Sequence, residues 1–167
     1  LFHFTNLAKT NWEEALKLYF SPAFSDMLKK SAEQYLTLYQ GLSARMREQY
    51  MEEFLQAVNK KKPVYYELQE PALLLSNLQT GYKEDLCIYR NGWGYTYLEV
   101  TAEGEFLSVE KKVIREEDFM GNMHRMSIYV DPTRLHQGKN WGEIILHSPY
   151  ETIRIPVQVY QNEHHRI

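Results

Sequence analysis

Six histidines and one cysteine are the side chains of this sequence best suited to metal binding or nucleophilic catalysis. The histidines are His3, His124, His136, His147, His164 and His165. None stands in a HExxH or Cys-X-X-Cys spacing, the arrangements that bring ligands together around one zinc ion. Cys87 lies between apolar neighbours, which is typical of a small buried side chain rather than of an activated thiolate. The sequence therefore predicts no metal, no cofactor and no catalytic residue.

An enzyme of unidentified class is the alternative, because catalytic side chains come together only in the folded chain. It would need convergent polar groups in a pocket, such as His136 with Asp131, or Cys87 with a histidine. The sequence has no Gly-X-Ser-X-Gly elbow and no Gly-rich phosphate loop. Its paired carboxylates, such as Glu52-Glu53, fall mainly on helix faces that we expect to be exposed. We therefore predict that the protein is not an enzyme.

Aromatic residues give the strongest indication of a binding surface. Trp93, Tyr95 and Tyr97 alternate along one predicted strand, and Trp141 begins another. Alternate residues of a strand share one face, so these rings predict a flat platform for a protein partner or, as an alternative, for a carbohydrate. The favoured interpretation is that the helical segment covers this face and buries the rings, because the helices also expose apolar stripes that need a partner surface. Trp93, Tyr95, Tyr97 and Trp141 are the candidate ligand-binding residues.

Residues 1–62 are predicted to form the helical segment that accompanies this platform, with helices from residue 10 onward. Asn11 is a suitable N-cap, and Ser21-Pro22 offers a cap followed by a proline in the first helical turn. Gly41 is expected to end that region, and Ser43 to open a further helix. Apolar residues recur at helical spacing throughout, so these helices must bury one face.

Residues 63–167 are predicted to form the sheets that carry the aromatic residues. Pro63 disfavours helix in the residue before it, and the apolar pattern changes there from helical spacing to alternation. Short alternating segments with turns at Asn91-Gly92 and Asp131-Pro132 indicate antiparallel strands. Pro156 has no N–H, so we expect its strand at a sheet edge or at a bulge. The predicted class is α+β, with the N-terminal helical segment packed on a C-terminal antiparallel immunoglobulin-like β-sandwich.

Composition and charge exclude several classes of partner. Residues 1–62 carry 9 Lys and Arg against 7 Asp and Glu, and residues 63–167 carry 10 against 15, for net charges of +2 and −5. Neither half has the positive field that nucleic-acid binding requires. No apolar run approaches the roughly 20 residues that span a bilayer. We predict a soluble protein without nucleic-acid binding or membrane insertion, with the cytoplasm slightly favoured over the extracellular space.

The C-terminal part resembles a known class of modules. From Glu99 to Val159, with Phe106-Leu107 after a glycine turn and Val130-Asp131-Pro132 at a strand end, the chain is similar to immunoglobulin-like and fibronectin-like modules of the BACON type. Those modules share an alternating pattern more than a motif. The resemblance implies a β-sandwich and names no ligand.

A second resemblance covers most of the chain. It rests on FTNLAKTNWEEALKLYFSPAF, YLTLYQGL, WGYTYLEV, DFMGN and LHQGKNWGEI. These segments are similar to an uncharacterised domain-of-unknown-function family of large multidomain proteins from anaerobic Firmicutes. The resemblance implies a part of a longer bacterial chain, as does the start at Leu1, and it supplies no catalytic residues.

These observations together predict a noncatalytic interaction or structural module of a larger bacterial multidomain protein. Its partner would be another protein or a neighbouring domain of the same chain. The alternatives are a carbohydrate-binding module that uses exposed aromatic residues, and an enzyme of unidentified class.

Overall fold

The computed structural model describes residues 1–162, which divide into a helix-rich unit and a strand-rich unit. The helix-rich unit comprises residues 1–64 and 92–95, and the strand-rich unit comprises residues 65–91 and the chain from residue 96 onward. The chain thus leaves the strand-rich unit at residue 92 and returns to it at residue 96. Helices and strands are both abundant, so the predicted α+β class is confirmed.

The helix-rich unit contains five α-helices. They are α1 (Phe2–Thr10), α2 (Trp12–Tyr19), α3 (Pro22–Ser31), α4 (Leu36–Gly41) and α5 (Arg47–Ala57), with a 3₁₀ turn at Glu33–Tyr35. Asn11 caps α2 as predicted, because its side chain accepts a hydrogen bond from the Glu14 N–H at 3.2 Å. The predicted start of a helix at Pro22, which is α3, and the predicted helix end at Gly41, which is the end of α4, are confirmed. Helix α1 precedes the predicted helical start, and α5 begins at Arg47 rather than at Ser43.

One aromatic ring from each helix forms the core of this unit. The rings are those of Phe4, Tyr19, Phe24, Tyr39 and Phe54, with centroid separations of 4.5–6.5 Å between neighbours. Such separations are typical of favourable edge-to-face and tilted ring pairs. The Tyr39 hydroxyl donates to the Tyr19 carbonyl at 2.7 Å, which ties α4 to α2. Five short helices therefore share a single aromatic core.

The strand-rich unit contains two sheets. Its strands are β1 (Tyr66–Leu68), β2 (Leu73–Ser76), β3 (Tyr82–Arg90), β4 (Tyr97–Glu103), β5 (Leu107–Val109), β6 (Val113–Arg115), β7 (Met123–Val130), β8 (Gly138–His147) and β9 (Thr152–Gln161). The four-stranded sheet has the order β1-β3-β7-β5, and the five-stranded sheet has the order β2-β9-β8-β4-β6. Each sheet buries one face. Met126, Ile128 and Val130 of β7, and Ile155, Val157 and Val159 of β9, alternate along their strands and are buried, whereas Ile153 is half-buried.

The prediction of a purely antiparallel arrangement is wrong at one pair of strands. Strand β2 pairs with β9 in parallel, whereas the other strand pairings within residues 1–162 are antiparallel. Strand β2 lies in the five-stranded sheet, although β1 and β3 lie in the four-stranded sheet. No hairpin therefore fixes the direction of β2, and a parallel pair needs only a long connection, which the intervening chain provides.

Neither predicted setting of Pro156 is found: β9 is not an edge strand, because it lies between β2 and β8, and its register with β8 runs without a bulge. Pro156 faces Glu143 of β8, and the pairing of β9 with β2 begins only at Val157. A proline at this position therefore interrupts no pair of the β2–β9 ladder. That register explains how a residue without an N–H is accommodated in an interior strand.

No helix within residues 1–162 is both long enough and apolar enough to span a membrane.

The raised pKa of Tyr66 in β1 makes the stability of the strand-rich unit depend on pH. Burial raises the pKa of the Tyr66 hydroxyl to about 12. A folded-state pKa above the usual value contributes stability below about pH 10, and that contribution is lost as the pH rises towards 12. We expect the free energy of unfolding to fall between about pH 9 and about pH 11, with Tyr66→Phe removing about 1 kcal/mol of that fall.

Urea titrations at both pH values measure this difference. Tyr65→Phe is the matched control, because Tyr65 is the adjacent residue and is exposed. Equal pH dependence in the wild type and in Tyr66→Phe would contradict the prediction.

Candidate functional site

The outward face of the five-stranded sheet has an apolar patch where β2, β9 and β8 lie side by side. Gln158 of β9 lies opposite Leu74 of β2 and opposite Trp141 of β8. Paired residues project from the same face of a sheet, and Gln158 alternates with the buried Val157 and Val159. Leu74 and Trp141 therefore both project outward, with their Cα atoms about 10 Å apart across two strand spacings.

Tyr160 lies on the same face, two residues after Gln158. We call Leu74, Trp141 and Tyr160 the Trp141 patch. Their exposed fractions are 77% for Leu74, 63% for Trp141 and 42% for Tyr160. Scattered exposed apolar side chains are common, whereas neighbouring ones that form a contiguous patch mark binding surfaces. The Trp141 patch is therefore the candidate site of the strand-rich unit.

Backbone and side-chain hydrogen bonds hold the three strands of the patch in place. Asn77, directly after β2, has a φ of 53° and donates its N–H to the Tyr160 carbonyl at 2.8 Å. The Gln161 side chain accepts from the Leu78 N–H at 2.8 Å and donates to the Leu78 carbonyl at 2.9 Å. The buried Asn140 amide donates to a carbonyl of β9 at 3.1 Å. The patch is thus preorganised, which lowers the entropic cost of binding.

A depression of about 310 Å³ adjoins Trp141. It is lined by Glu103, Gly104, Trp141, Gly142 and Glu143. The Glu143 carboxylate accepts a hydrogen bond from the Arg154 guanidinium at 2.5 Å. Glu103, in contrast, has no hydrogen-bond or ion-pair partner for its carboxylate within residues 1–162. The depression therefore combines an exposed indole, one neutralised carboxylate and one free carboxylate.

Gly142 explains how β8 brings Trp141 to this position. A Cβ at Gly142 would lie 2.6 Å from the Glu103 carbonyl and 2.8 Å from the Leu107 side chain. It would also lie 3.0 Å from the Phe106 ring. Only glycine permits this close approach, so the backbone next to Trp141 rests directly on the buried residues beneath it.

The structure does not place Trp93 and Tyr95 on a strand, contrary to the prediction. Both precede β4 and belong to the helix-rich unit. Between them Gly94 has a φ of +123°, which is incompatible with strand conformation. Tyr95 is only 5% exposed, and its N–H donates to the buried Glu52 carboxylate at 2.8 Å. Trp93 and Tyr95 therefore belong to a folded loop of the helix-rich unit, and their alternation in the sequence does not indicate a strand.

Tyr97 and Trp141 both belong to the five-stranded sheet but do not form one platform. Strands β4 and β8 pair from Glu99 opposite His147 to Glu103 opposite Glu143. Tyr97 precedes this paired region, and Trp141 lies beyond its other end. The Arg115 guanidinium lies over the Tyr97 ring, 5.0 Å from its centroid. Of the four predicted residues, Trp141 alone lies in the candidate site.

A buried ion pair lies beside the loop of the helix-rich unit. Lys61 and Glu52 have side chains that are 1% and 0% exposed, and the Lys61 ammonium lies 2.6 Å from the Glu52 carboxylate. Lys61 also donates to the Lys62 carbonyl at 2.8 Å and lies 5.3 Å from the centroid of the Trp93 ring. Gln56 donates a further hydrogen bond to Glu52. Burial lowers the pKa of the Lys61 ammonium, an effect that Glu52 opposes.

Both carboxylate oxygens of this ion pair accept hydrogen bonds, which indicates a structural role. One Glu52 oxygen accepts from the Tyr95 N–H, and the other accepts from Lys61 and Gln56. Buried charges persist in proteins when they are paired and fully hydrogen-bonded. The pair therefore fixes residues 92–95 against α5 and leaves no acceptor directed at a ligand.

The polar side chains considered above as catalytic pairs have other neighbours within residues 1–162. Asp131 accepts hydrogen bonds from the N–H and the hydroxyl of Thr133, at 3.1 Å and 2.7 Å. The His136 Nδ1 lies 2.8 Å from the Gln137 carbonyl. Cys87 is half-buried rather than buried, and it lies opposite Arg125 instead of a histidine. The side-chain hydrogen bonds of Asp131 and His136 are therefore made to residues one or two positions away in the loop after β7.

Clusters suited to metal binding are absent from the described part of the chain. Within residues 1–162 no three His, Cys, Asp or Glu side chains are grouped so as to hold a metal ion. His164 and His165, considered above as metal ligands, lie outside the described residues.

Leu74 and Tyr160 of the Trp141 patch, and Glu103 of the adjoining depression, escaped the sequence analysis. Leu74 lies in the apolar run ALLLSNL, whose alternation does not show which residue faces outward. The signal that could have found Tyr160 was its alternation with Val157 and Val159. Only the parallel register of β2 against β9 places Leu74 beside it.

A protein-family model described as the N-terminal part of a family of unknown function, DUF5717, matches residues 1–167. The chain therefore belongs to this family. No curated protein matches it.

Several solved structures are distantly similar to the chain. The FixG-related protein from Vibrio parahaemolyticus is 14% identical over 60% of this chain and 98% of that chain, with a TM-score of 0.40. The VesB protease of Vibrio cholerae is 11% identical over 68% of this chain and 35% of the protease, with a TM-score of 0.32. The endo-beta-1,4-mannanase from Thermotoga petrophila is 13% identical over 72% of this chain and 25% of the mannanase, with a TM-score of 0.31. Similarity at this level carries no argument about function.

Proposed function

We propose that this member of the DUF5717 family is a noncatalytic interaction module of a larger bacterial multidomain protein. In this proposal it binds a protein partner, or a neighbouring domain of its own chain, through the Trp141 patch. The observation that carries the proposal is the cluster of Leu74, Trp141 and Tyr160, which lie together on one sheet face and remain exposed.

The chemistry of the patch favours a protein over a carbohydrate. Trp and Tyr are enriched at the energetic centres of protein interfaces, where they bury a large rigid area. Leu74 is the most exposed of the three residues, and an aliphatic side chain offers a sugar no ring face for stacking. An apolar side chain of a partner protein, by contrast, would gain about 25 cal/mol for each Å² of apolar surface that it removes from water.

The finer description of the fold belongs to the same proposal. Two sheets that each bury one face, with mainly antiparallel pairing, support an immunoglobulin-like sandwich for the strand-rich unit. The family description as an N-terminal part supports a longer parent protein. In such an assembly, a module of this kind presents a binding face and leaves catalysis to other regions.

Selection of random peptides displayed on phage tests the proposed function. We expect enriched peptides to bind the wild-type chain and to lose about tenfold or more in affinity when Trp141 is changed to alanine. Tyr129→Ala is the matched control, because Tyr129 is an exposed aromatic residue on the four-stranded sheet. Binding should survive that change.

Two results would count against the proposed function. Enriched peptides that bind Trp141→Ala as tightly as the wild type would place the interaction elsewhere. Retention of the wild-type chain on a glycan array, lost in Trp141→Ala, would replace the protein partner with a carbohydrate.

A further inference from the structure

The depression beside Trp141 adds a charge preference to the apolar patch. Glu103 projects outward from β4 and lines the depression together with the exposed Trp141. Arg154 neutralises Glu143, but within residues 1–162 no cation neutralises Glu103. The lining therefore has one unpaired carboxylate next to an aromatic ring, while Lys139 projects from the same face, opposite Tyr160.

These two features are complementary to a basic side chain. A guanidinium or ammonium group gains from contact with a Trp face and also from pairing with a carboxylate. Gly104 and Gly142 contribute only backbone to the lining, so a long side chain meets no side chain at these positions. The net charge of −5 on residues 63–167 favours the approach of a basic segment.

We infer that the partner segment inserts an arginine or lysine side chain into the depression between Trp141 and Glu103. In the same complex an apolar residue of that segment contacts Leu74 and Tyr160. This inference rests on the proposed function and specifies its partner as a basic protein segment that also has an apolar residue. Glu103 is then the residue that selects for charge, and Trp141 supplies most of the contact area.

Titration with N-acetyl-arginine amide tests the charge preference directly by nuclear magnetic resonance. The indole N–H signals of Trp12, Trp93 and Trp141 are three separate reporters, and Trp141→Phe assigns the third. We expect arginine amide to shift the Trp141 signal in a saturable way while Trp12 and Trp93 remain unchanged. N-acetyl-citrulline amide, which has nearly the same shape without the charge, should bind about threefold or more weakly.

Charge-neutral variants identify the carboxylate that is responsible. Glu103→Gln should weaken arginine amide binding by about threefold and reduce the preference over citrulline. Glu99→Gln is the matched control, because Glu99 projects from the same face of the same strand, four residues away. It should leave binding unchanged. Equal binding of arginine and citrulline amides, or equal effects of the two variants, would overturn the inference.

The phage selection separates this inference from the proposed function. Peptides whose binding depends on Trp141 and is weakened by Glu103→Gln should be enriched in Arg or Lys next to Leu, Ile or an aromatic residue. Peptides that depend on Trp141 but lack basic residues would leave the interaction module intact and refute the basic side chain. Loss of dependence on Trp141 would refute both.

Discussion

Changing Glu52 to glutamine is expected to lower the free energy of unfolding by about 3 kcal/mol, because it leaves a buried ammonium group without its counter-charge. Lys61 has a side chain that is only 1% exposed, and its other hydrogen-bond acceptor is the Lys62 carbonyl. The amide that Glu52→Gln introduces would keep an acceptor for the Tyr95 N–H but could not neutralise Lys61. Urea denaturation followed by far-ultraviolet circular dichroism measures the loss.

Glu48→Gln provides the matched control for this prediction. Glu48 lies one turn earlier in α5 and has no ion-pair partner within residues 1–162, so its change should cost well under 1 kcal/mol. If Glu52→Gln fails to fold, the double variant Glu52→Met with Lys61→Met keeps the test decisive. Removing both charges should recover at least half of the loss, because no uncompensated charge then remains. Similar losses in Glu48→Gln and Glu52→Gln would show that the pair contributes little.

The elements that could be predicted from the sequence are those defined by local chemistry. Asn11 caps α2 and Pro22 begins α3, since a cap and a first-turn proline act on residues within one helical turn. The inward residues of β7 and β9 follow from alternation alone. In each case the information lies within a few neighbouring residues.

The elements that could not be predicted depend on pairing between distant segments. Leu74 joins the candidate site only through the parallel register of β2 with β9, about eighty residues away in sequence. Pro156 was expected at an edge or at a bulge for the same reason, because the partner strands of β9 cannot be read from its own sequence. A period of two gives the face of a strand but not its neighbours.

The loop at residues 92–95 shows how a local pattern can mislead. Trp93, Tyr95 and Tyr97 alternate as strand residues do, yet β4 begins only at Tyr97. The Tyr95 N–H bonds to Glu52, forty-three residues earlier in the chain, instead of to a neighbouring strand. A buried Glu–Lys pair leaves no mark in the sequence, because the same residue types usually lie on solvated helix faces.

Changing Gly94 to alanine should be as damaging as losing the ion pair, because the new methyl group would enter the space that the pair occupies. A Cβ at Gly94 would lie 2.4 Å from Cε and 2.7 Å from Nζ of Lys61, and 2.8 Å from the Glu52 carboxylate. The φ of +123° is in addition a conformation that L-residues rarely adopt. Backbone strain and overpacking each cost about 1–3 kcal/mol, so we expect a loss of about 3 kcal/mol or more.

Gly92→Ala is the control that separates this steric effect from a general need for glycine in the loop. A Cβ at Gly92 would meet no atom within 4 Å, so we expect a change of less than about 1 kcal/mol. Urea denaturation compares the two variants, and the Trp93 indole signal reports whether the loop has moved from Lys61. Equal stability of Gly92→Ala and Gly94→Ala would mean that the loop yields freely. The buried pair could then not be what holds residues 92–95 in place.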